Sequence, residues 1–316
     1  MKKTAKPAGR YAKKRTVTTV TVILLAVLFI AVFVAAYYGK LADFGLRSPV
    51  RIKTLSPTDA LVSVVDVGQG DCIIIQAAGT VAMIDAGDTS RESKNAILSF
   101  LDSYGIKRID YLFATHPHSD HIGGMKLVIE SYEIGEIIFT RIDEAMMPTS
   151  KVFMELLEII DKKDIPLSIA EVNGSYSLRL GSIRVLSAGG FNDLNNCSLV
   201  MMYRYDSTSF LLMGDAEFPV EKDLLNKGFD LSCDLLKVGH HASRNASGEE
   251  FLDAAKPCYA AISCKTGNSY GHPHEQAVDR ITKAGAEICR TDLEGTISFL
   301  SDGKLINVIY EDRKAA

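Results

Sequence analysis

Three of the seven histidines in this 316-residue chain, His116, His118 and His121, fall within six positions, in the stretch THPHSDHIGG at 115–124, and Asp120 stands among them. Neutral imidazole and ionised carboxylate together suit zinc, manganese or iron rather than calcium. His116 and His118 alternate about Pro117 while Asp120 and His121 begin the next element, so the stretch offers two pairs of ligands to two nearby points. Two later segments also end an apolar run on such groups: FLLMGDAE (210–217) delivers Asp215, and DLLKVGHHAS (234–243) delivers His240 and His241. A lone Asp after a strand is ordinarily a helix cap. Beside a metal cluster, Asp215 is expected to be a bridging carboxylate. Two bridged ions lower the pKa of bound water and clamp the attacking and leaving oxygens of an in-line displacement, which favours hydrolysis.

Such ligands need strands that stop together, since ligands in open α/β sheets gather at the C-terminal ends of strands. Apolar, β-rich runs predict strands at 61–65, 72–76, 81–84 and 111–114, with a helix at 92–104. The pattern returns as strands at 183–186, 198–203, 210–213, 235–238, 259–263 and 297–300, alternating with helices at 217–226, 248–255 and 274–284. Two rounds of strands followed by helices predict an α/β fold of two sheets packed face to face with helices outside. Six cysteines lack any CxxC pair and read as small buried hydrophobes. Export leaves a disulfide from Cys258 to Cys264 or Cys289 as the alternative.

The first fifteen residues carry seven Lys or Arg and no acid, and residues 17–38 carry no charge at all. An apolar run of that length can span a bilayer, and a basic flank before it places the N-terminus in the cytoplasm. The expected organisation is a basic cytoplasmic N-terminus at 1–16, a transmembrane signal anchor at 17–38, a linker at 39–59 and a hydrolase domain at 60–316. The catalytic domain then lies outside the cytoplasm on a single-pass anchor, or is secreted if the segment is cleaved. Without the seven N-terminal cations the formal charge falls from −4 to −11. This argues against a broad basic face tracking nucleic acid.

Eight motifs in order, spread over 61–310, are similar to those of the metallo-β-lactamase fold superfamily and resemble the hydrolase-like domain of ComEC-type DNA-uptake competence proteins. They are VVDVGQGDCIII (64–75), MIDAG (83–87), THPHSDHIGG (115–124), NNCSLV (195–200), LLMGDAE (211–217), LLKVGHHAS (235–243), NSYGHP (268–273) and RTDLEGTI (290–297). The resemblance implies an αββα metallo-β-lactamase-like sandwich with a dinuclear site of zinc or manganese at the strand ends, single occupancy being the alternative. It further implies His116 and His118 on one ion, Asp120 and His121 on the second, and Asp215 between them. His240 is the expected remaining ligand of the second ion, being first off the strand, with His241 as fallback. Asp85 is expected beneath the loop, holding ligand imidazoles.

On the substrate side the resemblance places Asn268, Tyr270 and His272, and the same C-terminal region supplies Lys237, Arg244, Lys265 and Arg290 as sources of local positive charge. The chain departs from the broad superfamily pattern at Asn196, which stands where a third histidine usually serves the first ion. That weakens the position for zinc and makes manganese credible. The reading reached is a membrane-anchored phosphodiesterase or nuclease acting on DNA through a metal-bound hydroxide, with Asp120 orienting the nucleophile and His272 or Tyr270 near the phosphate or leaving group. The rivals are a metallo-hydrolase of a choline phosphoester, lactone or thioester, and a non-catalytic binding module. A single anchor holds no pore, so DNA uptake is not expected to come with the resemblance, and no protein partner is evident.

Overall fold

A computed structural model describes residues 55–311. The expected anchor at 17–38, the basic segment at 1–16 and nearly all of the linker lie outside the described residues. No helix among the described residues is long and apolar enough to cross a membrane.

The chain first lays down β1 (Ala60–Val64), β2 (Ile73–Ala77), β3 (Thr80–Ile84), α1 (Arg91–Ser103), β4 (Arg108–Ala114), α2 (Ser119–Ile122), α3 (Met125–Ser131), β5 (Glu133–Phe139), α4 (Lys151–Lys162) and β6 (Leu167–Ile169). A second series follows: β7 (Ser175–Ser177), β8 (Ser182–Ala188), β9 (Leu199–Tyr205), β10 (Thr208–Leu212), α5 (Phe218–Asn226), β11 (Leu235–Lys237), α6 (Glu249–Ala255), β12 (Tyr259–Ile262), α7 (Glu275–Lys283), β13 (Glu287–Arg290) and α8 (Thr291–Glu294). The chain then returns through β14 (Ile297–Ser301) and β15 (Ile306–Tyr310) to the first sheet. The strand orders are β15-β14-β1-β2-β3-β4-β5-β6 and β13-β12-β11-β10-β9-β8-β7.

Each sheet is antiparallel where its series begins and parallel where helices intervene, from β3 to β6 in one and from β10 to β13 in the other. Parallel strands covered on both faces read as unbroken apolar runs. The successive side chains of β2 show the same two-sided burial in an antiparallel strand: Ile73 and Ile75 enter the core between the sheets, and Ile74 enters the core beneath α1. A third core lies under α5, α6 and α7 on the far side of the second sheet. The result is the expected αββα sandwich. Because β3, β4, β10, β11 and β12 all run toward the same edge, the loops that follow them meet there.

Helix ends follow ordinary capping chemistry. Ser90 accepts the Ser93 N–H at the start of α1, and Ser150 accepts that of Phe153 at the start of α4. The amphipathic helix α4, with Phe153, Leu156, Ile159 and Ile160 buried, is an element that the sequence reading omits, as are α8, β5, β6, β7, β13 and β15. None of the six cysteines is paired; Cys258 is exposed and the other five are buried. The alternative of a Cys258 disulfide is therefore not realised, and burial accounts for the rest.

Candidate functional site

The loop after β4 is built around a buried acceptor. Asp85, directly after β3 and in the left-handed region at φ 59°, receives the Thr115 N–H at 2.8 Å and the Thr115 hydroxyl at 2.6 Å. Its Oδ2 also lies 2.7 Å from His121 Nδ1, so His121 presents Nε2 to the interior. Main-chain bonds stitch the two loops together, with Ala86 N–H donating to the His121 carbonyl and Gly124 N–H to that of Ala86. Asp85 thus takes the supporting position the sequence implied.

Two groups of donors result, and they share Asp215. His116 Nε2 is 3.0 Å from His118 Nδ1 and 3.7 Å from Asp215 Oδ2. In the second group, Asp215 Oδ1 lies 3.2 Å from His121 Nε2 and 3.5 Å from His241 Nε2, while Asp120 Oδ2 lies 3.6 Å from His241 Nε2. Separations near about 3 Å suit ligands that each sit roughly 2.0–2.2 Å from one ion. His121 Nε2, His241 Nε2 and Asp215 Oδ1 are buried and without a hydrogen-bond partner among the described residues. A divalent cation would satisfy all three. The donor set fits divalent ions at both positions.

The two groups are electrostatically coupled: against the effect of its burial, His121 is raised well above the usual imidazole range by Asp215 and Asp85. Burial works to raise the Asp215 carboxyl, but His121 and His241 hold it well below the usual carboxylate range. Asp120 is lowered against its own burial by His241 and His121. His116 is pushed well below the usual imidazole range by burial, with His121 adding to the effect, and is therefore a neutral ligand.

Four sequence expectations need correction. His241, not His240, joins Asp120, His121 and Asp215. The expectation that the first residue off the strand points inward assumes extended backbone, but His240 and His241 both take left-handed angles, φ 46° and 54°. His241 is consequently buried, with Nδ1 2.9 Å from the Ser263 carbonyl, whereas His240 turns to the cleft wall with Nδ1 2.9 Å from Glu217 Oε1. Asn196 does not face the ions either. Its amide donates to Asp193 and accepts the Glu217 N–H, so it orders the start of α5. The adjacent Asn195 lines the cleft, and its buried Oδ1 has no hydrogen-bond partner among the described residues.

Lys237 cannot meet substrate, being fully buried with Nζ 2.8 Å from Asp71 Oδ2. Asn268 closes a turn: its Oδ1 accepts the N–H groups of Tyr270 and His272, and its Nδ2 donates to the carbonyls of Lys265 and His272. That turn carries Tyr270 and His272 to the cleft, where the sequence placed them. Arg244 is engaged with His274 and Arg290 with Asp292, while Lys265 lies in an adjoining hollow with Asp66 and Asp88.

The cleft over the two groups encloses about 250 Å³ between His118, Asp120, Asn195, Asp215, His240 and His272. Tyr270 stands at its rim, 63% exposed, stacked on His272 with ring centroids 5.7 Å apart at 18°. Burial, reinforced by His241 and His240, pushes the His272 imidazole down to about 4, so this ring is neutral near pH 7. The sequence reading missed Asn195, Gln69 and Glu217. Of these, Asn195 had a visible signal in the Asn-Asn pair, and Glu217 stood two residues after Asp215.

The family profile described as the Metallo-beta-lactamase superfamily matches residues 65–265. Over 259 residues the chain is 29% identical to ComE operon protein 3 of Bacillus subtilis (strain 168), covering 75% of this chain and 32% of that protein. Over 262 residues it is 28% identical to Competence protein ComA of Neisseria gonorrhoeae, covering 79% and 33%. The chain thus spans about a third of the length of these relatives. Among solved structures it is similar to CmlA, a diiron beta-hydroxylase from Streptomyces venezuelae, with a TM-score of 0.52 at 14% identity, covering 78% of this chain and 55% of that one. This last likeness concerns the fold alone.

Metal analysis after dialysis checks the ligand assignment. His241→Ala in the full chain is expected to lose one bound divalent ion, and His240→Ala to retain the wild-type count. The reverse pattern would return His240 to the second position.

Proposed function

Because the chain belongs to the metallo-beta-lactamase superfamily, we propose that it is a metal-dependent phosphodiesterase that cleaves a DNA strand outside the cytoplasm. The observation that carries the reading is the pair of donor groups sharing Asp215 at the floor of a cleft rimmed by an exposed aromatic ring. The relatives named as competence proteins favour DNA among phosphodiesters.

His116, His118 and Asp215 would hold one divalent ion, and Asp120, His121, His241 and Asp215 the other. When bound, the ions supply an acidified water and positive charge for the phosphoryl oxygens. Asp120, whose side chain is still 26% exposed, accepts a hydrogen bond from the nucleophile and orients it. His240, anchored through Nδ1 on Glu217 and with Nε2 3.6 Å from Asp215 Oδ2, would meet the phosphate at the cleft wall. Neutral His272, its ring edge-on to that of His240 with centroids 5.3 Å apart, would contact the phosphate or leaving group from the same side. Asn195, whose buried amide oxygen has no hydrogen-bond partner among the described residues, would offer a hard, neutral acceptor to the cleft.

A cleft of about 250 Å³ admits a phosphodiester but not the attached nucleosides. We place a flanking base on Tyr270, whose ring is held outward by the Asn268 turn. Stacking of a base on an aromatic side chain is worth about 1–3 kcal/mol. The small cleft also favours the second reading, hydrolysis of a small ester such as a choline phosphoester or lactone.

The test compares a single-stranded oligodeoxynucleotide with an abasic strand of equal length, with manganese or zinc. Tyr270→Ala is expected to lower kcat/KM on the base-bearing strand about fivefold or more, from that stacking energy, and to leave the abasic strand unchanged. Tyr270→Phe should behave as wild type. Failure to cleave either strand, with turnover of a lactone or choline phosphoester, would replace the reading by the second one.

We also propose that residues 17–38 anchor the chain with its C-terminal domain outside the cytoplasm, since seven cations precede that run. Protease added to intact cells is then expected to digest the domain. Protection until lysis would contradict this topology.

A further inference from the structure

Lys237 and Asp71 form an ion pair at the floor of the sandwich, with side chains 0% and 1% exposed. Burying two charges is costly, and an apolar pair of similar volume often serves stability as well or better. The pair's surroundings supply a reason for it. Asp71 donates its N–H to the Asp120 carbonyl at 3.2 Å and accepts the Gly87 N–H at 2.8 Å. The approach to Asp120 is tight: at the preceding Gly70, φ 127°, a Cβ would lie 2.1 Å from the Asp120 carbonyl oxygen. The main chain of Asp71 therefore belongs to the loops of the first sheet. Its side chain reaches the second sheet, with Oδ2 2.8 Å from Lys237 Nζ and Oδ1 3.5 Å from His241 Nδ1.

Lys237 ends β11, four residues before His241, and is itself fixed by donation to the Val238 carbonyl at 3.0 Å. The pair thus ties the loop carrying Asp120 to the strand end carrying His241. These two ligands come from loops of different sheets. Asp71 and Asp85 also lie close enough to His121 to resemble a further cation site. Asp71 is already paired with Lys237 Nζ, and Asp85 is engaged by Thr115 and His121.

We propose that Asp71 and Lys237 are a positioning pair for the second metal position. The Ser263 carbonyl accepts the proton of His241 on Nδ1 at 2.9 Å, and the Asp71 carboxylate, 3.5 Å from the same nitrogen, favours that tautomer by its charge, which leaves Nε2 free as a donor beside Asp120. Lys237 holds and neutralises the Asp71 carboxylate, so that it orients His241 without adding net charge beneath the ions. Asp85 does the same for His121 in the first sheet, with Thr115 where Asp71 has Lys237. The inference rests on the site binding two ions and is independent of what is hydrolysed.

The experiment is titration of the metal-free full chain with manganese or zinc, read by calorimetry for stoichiometry and affinity, beside thermal unfolding of the metal-free form. Asp71→Asn is expected to weaken the second ion at least tenfold, within the about 10- to 100-fold range for residues that support ligands, and to spare the first. The double variant Asp71→Asn/Lys237→Gln removes both buried charges. It is expected to recover metal-free stability relative to Asp71→Asn while the second ion remains weak. Recovery of both stability and affinity would overturn the proposal, since the pair would then serve the fold alone.

A measurement on the wild type guards against loss of folding in the variants. In the zinc-loaded full chain, nitrogen-15 NMR of the histidine rings, assigned against His241→Ala, is expected to show the His241 proton on Nδ1. A proton on Nε2, or none on either nitrogen, would also overturn the proposal.

Discussion

The carboxylate of Asp215 is an ionised group 2% exposed to solvent, and both of its oxygens are directed at imidazoles from different sheets. Oδ1 faces His121 and His241; Oδ2 faces His116 and His240. A buried anion is stable only when its charge is met, and a carboxylate shared by two cations is one way to meet it. The surrounding structure serves that condition. β10 stops at Leu212, Gly214 turns through φ 54° against Ser198, and the Ser198 hydroxyl accepts the Asp215 N–H at 3.0 Å. Ser198 Oγ also lies 3.2 Å from His116 Nδ1, so one hydroxyl fixes both a bridging group and a ligand. The two sheets must pack with their parallel ends at one edge, or these side chains do not meet.

Strands with strong apolar runs were legible from composition alone, because burial on both faces writes itself into consecutive residues. β2 and β10 are of this kind. Most strands that lack a clear apolar run are partly buried: β7 (Ser175–Ser177) is a short edge strand with exposed serines, and β15 (Ile306–Tyr310) is half-buried at one edge of the first sheet, whereas β5 (Glu133–Phe139) lies inside that sheet and shows its apolar run only in Ile137, Ile138 and Phe139. β13 (Glu287–Arg290) pairs on one side only and shows a mixed pattern for the same reason. α4 was readable in principle, since Phe153, Leu156, Ile159 and Ile160 recur at helical spacing.

The site divides along a similar line. Residue types that cluster in sequence, His116 to His121, could be assigned to pairs because a proline and a helix start fix their directions. His240 and His241 could not be separated, since the choice depends on left-handed backbone that side-chain pattern does not encode. Asn195 and Asn196 posed the same difficulty one residue apart. Lys237 reads as a source of positive charge because it falls in the C-terminal motif region; its burial becomes apparent only when Asp71, 166 positions earlier, is found beside it. Asn268 followed the ordinary chemistry of turns, in which a side-chain amide replaces missing main-chain partners.

One buried carboxylate, Asp215, is expected to join two metal positions. Anomalous diffraction from crystals of the full chain grown with manganese, recorded at the manganese edge, tests it most directly. Two peaks are expected, one between His116 and His118 and one between Asp120, His121 and His241, with Asp215 contacting both. A single peak away from Asp215, or no peak at saturating manganese and then zinc, would contradict the account.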